Sequence, residues 1–306
     1  MRLHDDQTTR RTAIAVVGAH GFVGRAVVAA LTRQGIPTVA CTTTSPAVRD
    51  GQLIPEVARA RGVLVVAGRS NPALAERDPD SAAQELAETR ELSRLLAESS
   101  EDAGTAQRIL VASSGGAVYD GNQPPPYAEG SPLDQSSAYA RLKLSVEDAF
   151  LSCRSPLSER TVLRLSNVYG PGQRVGTGQG VVGHWFQALA QDQTVRLFGN
   201  PQTTRDYVYV DDVAAAFVAA LQAPSLPAVL NIGSGQPTSL EELLQLVLEV
   251  AKAPQHPIER VGDRPFDRRN TWLEISAARA ALGWAPATSL RAGLARTWEH
   301  VDEPSA

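Results

Sequence analysis

Lysine is nearly missing from this chain. Of 29 basic residues among 306, only Lys143 and Lys252 are lysines, and the other 27 are arginines. Where arginine supplies almost every positive charge, a retained lysine points to a task for a compact ammonium on a flexible stem rather than a planar fork. Cysteine is as scarce. Cys41 and Cys153 cannot build a disulfide framework, so a reducing cytoplasm is the expected compartment. No apolar run reaches the roughly 18 residues of a membrane span. A basic face is lacking too: net charge is −4 with the signs interspersed, which argues against a nucleic-acid partner. The five histidines, His4, His20, His184, His256 and His300, lie without metal-ligand spacing. Ser113 and Ser114 lack the Gly-x-Ser-x-Gly elbow of a serine hydrolase. Residues 1–11 are polar, without the apolar core of a signal peptide, and read as a loose tail.

What is present fits a globular protein with a large core: 43% of residues are hydrophobic and 20% charged. The apolar run Ile14-Ala-Val-Val17 ends at Gly18 and is followed by a helix over 25–34 that Gly35 stops. Strands are expected at 37–41, 63–67, 108–112 and 161–165, with helices over 81–99 and 138–151. The 63–67 run is fully apolar, as a strand buried on both faces should be. This alternation predicts an α/β fold, a doubly wound parallel sheet of the Rossmann kind.

Past Gly170 the rhythm changes. Residues 171–183 are glycine-rich, then a helix is expected over 181–191 and a strand over 194–198. Asp212 is read as the cap of a helix over 213–222, and Ser239 with Glu242 as a capping box opening a helix to Lys252. The organisation expected is a dinucleotide-binding domain over 12–174 and 206–238, interleaved with a smaller C-terminal α/β substrate lobe over 175–205 and 239–306.

Two patterns carry chemistry. Gly18-Ala-His-Gly21-Phe22-Val23-Gly24 follows the first strand and opens the first helix, where a tight turn and a helix N-terminus suit a pyrophosphate. An acid about 20 positions on, for the ribose 2′-hydroxyl of NAD, is absent. The stretch is Cys41-Thr42-Thr43-Thr44-Ser45, the first acid is Asp50, and Arg49 is near, which tilts the cofactor towards NADP. The second pattern is Tyr139-Ala-Arg-Leu-Lys143, which sets phenol and ammonium on one helix face. An ammonium about 4 Å from a phenol, at an effective dielectric near 20, gives roughly 4 kcal/mol, about three pKa units, enough to make a phenol a base near neutral pH.

In order along the chain stand Gly18/Gly21/Gly24, Val66-Ala67-Gly68, Ser113-Ser114-Gly-Gly-Ala-Val-Tyr119, Tyr139-x-x-x-Lys143, Arg164-Leu-Ser-Asn167-Val-Tyr-Gly-Pro171, Arg205-Asp-Tyr-Val-Tyr-Val-Asp-Asp212, Asn231-Ile-Gly-Ser-Gly235 and Leu282-Gly-Trp-x-Pro286. This series resembles the extended short-chain dehydrogenase/reductases of the NAD-dependent epimerase/dehydratase family, and among them the UDP-glucose 4-epimerase-like sugar-nucleotide enzymes. The resemblance implies NAD or NADP contacts at Gly18, Gly21, Phe22, Val23, Gly24, Thr42, Ala67 and Gly68, shared by Tyr139 and Lys143. It implies Tyr139 as acid/base, Lys143 as its partner and holder of the nicotinamide ribose, and Ser114 as the hydroxyl partner. It implies a nucleoside-diphosphate sugar as substrate, held by Ser114, Asn167, Arg205 and Arg264, and a homodimer through helices 81–99 and 138–151.

Departures keep three functions open. The usual catalytic Ser/Thr position is Gly115, with Gly116 and Ala117 after it, so Ser114 must substitute and the Thr-Asp-Glu of the dehydratases is missing. The family's helix asparagine falls near Glu88, and the usual glycine after Tyr119 is Asp120. Only 21 residues separate Cys41 from Val63, too few for the family's third strand with both flanking helices, so that strand should be missing or vestigial. The readings are a C4 epimerase, an NADPH-dependent 4-ketoreductase of a deoxysugar, and a non-catalytic nucleotide-binding regulator.

Overall fold

The computed structural model describes residues 13–103, 106–153, 155–173, 180–262 and 270–301. The chain begins β1 (Ile14–Val17), α1 (Phe22–Arg33), β2 (Thr38–Cys41), β3 (Val48–Arg49), β4 (Gln52–Leu53), α2 (Pro55–Ala58), β5 (Gly62–Val65). Next come α3 (Pro72–Arg77), α4 (Pro79–Ala103), β6 (Gln107–Ser114), α5 (Gly115–Val118), α6 (Ala138–Leu151), β7 (Ser158–Leu165), β8 (Asn167–Tyr169). The last part runs α7 (Val181–Ala190), β9 (Val195–Phe198), β10 (Thr204–Tyr209), α8 (Val210–Gln222), β11 (Val229–Ile232), β12 (Pro237–Ser239), α9 (Leu240–Val250), β13 (Ile258–Val261), α10 (Ser276–Leu282), α11 (Leu290–Glu299).

The central sheet has the order β11-β7-β6-β5-β1-β2, and every pairing in it is parallel. Period-two alternation divides each strand between two cores. Ile14, Val16, Leu64, Leu110 and Leu163 pack with Leu31 of α1 and Val213 and Phe217 of α8. Ala15, Val63, Val65, Ile109, Val111 and Val162 pack with Leu92 and Leu96 of α4 and Leu142, Val146 and Phe150 of α6. With helices on both faces, the strands need apolar residues at every position, which is why β5 is apolar throughout its buried length. A third cluster joins Trp185 and Phe186 of α7, Leu197 of β9, Tyr207 and Tyr209 of β10, and Leu243 and Val247 of α9.

The expected loss of a strand is visible. β2 forms the edge of the six-stranded sheet, and the residues after it make a separate hairpin, β3 with β4. Asp50 and Gly51 turn that hairpin with φ of 52° and 72°, the left-handed pair that a tight hairpin turn requires.

Asp212 does not cap its helix. α8 starts two residues earlier, at Val210, and the buried Asp212 carboxylate lies inside the first turn, where it accepts the amides of Ala287 and Thr288. It anchors the chain before α11 instead. The capping box of Ser239 and Glu242 is formed in full, and its helix ends at Val250. Residues 1–12 lie outside the described residues, and with them the expected tail.

Candidate functional site

The glycine turn after β1 is built by contact. Gly18 has φ of 91°, and a Cβ there would stand 2.7 Å from the Ala67 backbone; a Cβ on Gly24 would stand 2.0 Å from the Gly18 carbonyl oxygen. Loop and helix thus meet without side chains between them. Gly21 is the N-cap of α1, and no side chain caps that end. Phe22, Val23 and Gly24 form its first turn, which carries no acid. A helix N-terminus left uncapped beside a side-chain-free cradle fits a dinucleotide pyrophosphate.

Ala67 and Gly68, after β5, join this turn to the Tyr–Lys pair. A Cβ on Gly68 would come within 3.1 Å of Lys143 Nζ and 3.5 Å of Glu85 Oε1. Tyr139 and Lys143 occupy the same face of α6, whose N-cap Ser137 accepts the Ala140 amide. Lys143 Nζ lies 5.5 Å from the centre of the Tyr139 ring. Ser114 closes β6 and is the N-cap residue of α5, whose amides its side chain leaves free. The carboxyl ends of β1, β5 and β6 therefore bring the glycine turn, Gly68, Lys143, Tyr139 and Ser114 to one side of the sheet, where ligands of doubly wound folds bind.

Gly115 has a packing reason: a Cβ there would stand 2.8 Å from Leu273 and 3.2 Å from the Arg164 carbonyl oxygen. Asn167 on β8 donates to the Asp206 carbonyl, and its amide lies near Gly116. Arg205 on β10 donates to the Thr204 carbonyl. Thr42 is tied locally, its hydroxyl accepting the Ser45 amide and lying 3.1 Å from the Thr44 hydroxyl. Arg264, Gly176 and Gly178 lie outside the described residues.

Three buried groups escaped the sequence reading. Glu85 of α4 is the first: its Oε1 lies 3.3 Å from Lys143 Nζ, and its Oε2 accepts the amides of Arg69 and Ser70. Burial alone would raise the Glu85 carboxyl, but the Lys143 ammonium and the Ser70 and Arg69 donors outweigh it and hold it below the usual range. Burial would likewise lower the Lys143 ammonium, yet the Tyr139 phenol and Glu85 hold it above its ordinary value. The available signal was the stripe Glu85, Thr89, Leu92, Leu96, which sets an acid on the inward face of α4. Glu88, near which the family's helix asparagine was expected, is exposed and paired with the Arg69 side chain.

The second is Arg164 of β7, bonded to both oxygens of Glu147 of α6 at 2.7–3.2 Å. Glu147 also accepts the Ser113 hydroxyl, and Arg164 donates to Tyr119, which donates to Asn231. The third is Asp206, whose carboxylate gathers the Ser166 and Ser234 hydroxyls and the Ser234, Gly235 and Leu273 amides. It fixes the loops beside Asn167 and Arg205. Each of these pairs joins distant segments, so no local pattern announces it.

A parallel doubly wound sheet, an uncapped glycine turn and a Tyr-x-x-x-Lys pair at the strand ends define an extended short-chain dehydrogenase/reductase. The chain belongs to the NAD dependent epimerase/dehydratase family, whose sequence profile matches residues 14–233. It is 36% identical over 206 residues to a UDP-glucose 4-epimerase of Mycolicibacterium smegmatis, covering 67% of this chain and 65% of that protein. It is 30% identical over 190 residues to a dTDP-4-dehydro-6-deoxyglucose reductase of Escherichia coli, covering 61% and 59%. The matched stretches thus span somewhat under two thirds of these relatives' lengths. The solved structure of a UDP-glucose 4-epimerase with UDP-glucose, from Thermotoga maritima, superposes with a TM-score of 0.81 at 28% identity, over 94% of this chain and 98% of that one. No helix among the described residues is long and apolar enough to cross a membrane.

Proposed function

We propose that this chain is an NAD(P)-dependent epimerase acting at C4 of a nucleoside-diphosphate hexose, with Tyr139 as acid/base. The observation that carries the reading is the buried Lys143 ammonium beside the Tyr139 ring, against the loop that also packs on the glycine turn. Gly18, Gly21, Phe22, Val23 and Gly24 would hold the pyrophosphate, with Thr42, Ala67 and Gly68 lining the same cofactor. When bound, the nicotinamide supplies hydride acceptance and return at the sugar carbon. Tyr139 takes the proton of the C4 hydroxyl and later gives it back to the C4 oxygen. Lys143 favours the anionic phenol in the first step, and Ser114 orients the sugar hydroxyl. Asn167, Arg205 and Arg264 would face the diphosphate, for which forked guanidinium groups suit phosphate oxygens. The division proposed is a cofactor domain over 12–174 and 206–238 and a substrate lobe over 175–205 and 239–306, paired into a homodimer through helices 81–99 and 138–151.

A second reading, an NADPH-dependent 4-ketoreductase, draws on the acid-free Thr42–Thr44 turn and on the similarity to a reductase. It needs Tyr139 only as proton donor. The decisive test is incubation of the purified protein with UDP-glucose, UDP-GlcNAc and a dTDP-4-keto-6-deoxysugar. Interconversion without net cofactor change supports the epimerase; stoichiometric NADPH loss with the ketosugar supports the reductase. If Tyr139→Phe leaves every turnover unchanged, the acid/base assignment is wrong. NAD binding at least about tenfold tighter than NADP, some 1.4 kcal/mol, would overturn the tilt towards NADP.

A further inference from the structure

Lysine and tyrosine are usually treated as a pair, but in this chain the ammonium has a second, closer partner. Glu85 Oε1 lies 3.3 Å from Lys143 Nζ, and both side chains are 8% exposed. The other Glu85 oxygen is occupied by the amides of Arg69 at 3.0 Å and Ser70 at 2.8 Å. Gly68 leaves the room that the pair fills. From this geometry we infer that Glu85 is a positioning residue: it holds the Lys143 ammonium against the cofactor-side loop and, as its counter-anion, limits how strongly that ammonium draws a proton from Tyr139.

The consequence is electrostatic. A bare ammonium beside a phenol favours the phenolate; an ammonium already paired with a buried carboxylate presents a dipole, and its field falls off faster. Among the described residues, the neighbouring charged groups have other partners. Glu76 of α3 accepts the Ala138 amide, and Arg141 of α6 donates to the carbonyls of Gln135 and Ser136. The Arg69 and Glu88 side chains pair with each other at the surface. Glu147, one turn beyond Lys143, is bound to Arg164 and Ser113. Glu85 is therefore the carboxylate that faces the ammonium. Its charge offsets part of the field that the ammonium exerts at the Tyr139 oxygen. Within the proposed function, on which this inference rests, Glu85 tunes the proton transfer that Tyr139 performs in both half-reactions.

The test uses the cofactor-free protein, so that it stands apart from the question of substrate. The Tyr139 contribution to the 295 nm phenolate absorbance is isolated by difference from Tyr139→Phe in the same background. In Glu85→Gln the Tyr139-dependent step should appear about one to two pH units lower than in the unmodified chain, the effect of one nearby charge at an effective dielectric near 20. Glu85→Asp, which keeps the charge, should move it little. A step displaced by less than about 0.3 units in folded Glu85→Gln, by circular dichroism, would overturn the inference. Should Glu85→Gln fail to fold, Lys143→Met is compared with the uncharged double variant Lys143→Met/Glu85→Gln. The step should lie lower in the double variant, and coincidence of the two refutes the counter-anion. In active enzyme, the pH profile of kcat/KM should shift in the same direction, while NADPH affinity by fluorescence weakens as the loop over 68–70 loosens. Absence of turnover with every sugar nucleotide would sink the functional reading while leaving the absorbance result to judge Glu85.

Discussion

Replacing Arg164 with methionine should destabilise the fold by about 3–5 kcal/mol, because it strands a buried carboxylate. Arg164 and Glu147 have side chains only 5% exposed, and the guanidinium meets both carboxylate oxygens. Without it, Glu147 keeps, among the described residues, the Ser113 hydroxyl at 2.6 Å, one neutral donor for a full charge out of water. Tyr119 loses the Arg164 donor as well. The cost of leaving the charge uncompensated exceeds the few tenths of a kcal/mol typical of an exposed pair. The same reasoning says that removing both charges is milder: Arg164→Met/Glu147→Leu should recover more than half of the loss, since apolar groups of similar volume often replace a buried pair at little cost. Urea unfolding of the two variants, read at unchanged m-value, measures the difference. If Arg164→Met costs less than 1 kcal/mol, or if the double variant is as unstable as the single, the carboxylate is not being held by the arginine as described.

Tyr139→Phe should lower turnover by about 10²–10⁴-fold while leaving the circular dichroism and cofactor affinity near those of the unmodified chain, measured by steady-state kinetics and NAD(P)H fluorescence. Gly24→Ala should abolish cofactor binding or folding, since its Cβ would enter the Gly18 carbonyl at 2.0 Å; titration with NAD and NADPH checks it. Glu85 and Lys143 predict a pH window for stability. The carboxyl is held below its unfolded value, so its contribution is present above a pH of about 4.3 and is lost as pH falls through the lower folded value. The ammonium is held above its unfolded value, so its contribution is present below about pH 10.4 and is lost as pH rises through the higher folded value. Urea midpoints from pH 3 to 11 should therefore lose their difference between the unmodified chain and Glu85→Gln at the acid end. Asp206→Ala should destabilise by about 3 kcal/mol and weaken substrate binding, because five donors from Ser166, Ser234, Gly235 and Leu273 lose their acceptor; unfolding and KM measure the two effects.

The sequence made the sheet legible because its strands are apolar on both faces, and α6 runs over 138–151 as its amphipathic pattern indicates. Strand ends were less legible: β6 and β7 begin at Gln107 and Ser158, polar residues that pair through their backbones whatever their side chains. Asp212 looked like a cap because helix caps and buried anchors use the same residue types, and only the distant Ala287 and Thr288 amides separate them. In the site, Tyr139, Lys143 and the glycine turn were readable from local spacing. Glu85 is hard to tell from Glu88, near which the family's asparagine was expected, because residues three apart lie on neighbouring parts of one helix face and only packing buries Glu85 and leaves Glu88 exposed.

Those two acids work on the same loop from opposite sides. Glu88 takes the Arg69 side chain at 2.8 Å, with both partners about half exposed, and Glu85 takes the Arg69 and Ser70 amides in the interior. The outer pair is worth at most about 1 kcal/mol because water and salt screen it. The inner carboxylate also neutralises Lys143, and its loss strands a buried charge, so the inner contact decides where the loop lies. The segment that would line the cofactor and the ammonium that would serve Tyr139 therefore share one anchor on α4. A displacement of the 68–70 loop on cofactor binding would be felt at the Lys143–Tyr139 pair through Glu85, with no need for a separate relay. The Tyr-x-x-x-Lys spacing identifies the pair; Glu85, the seventh residue of the helix across from it, sets the charge that the pair works under.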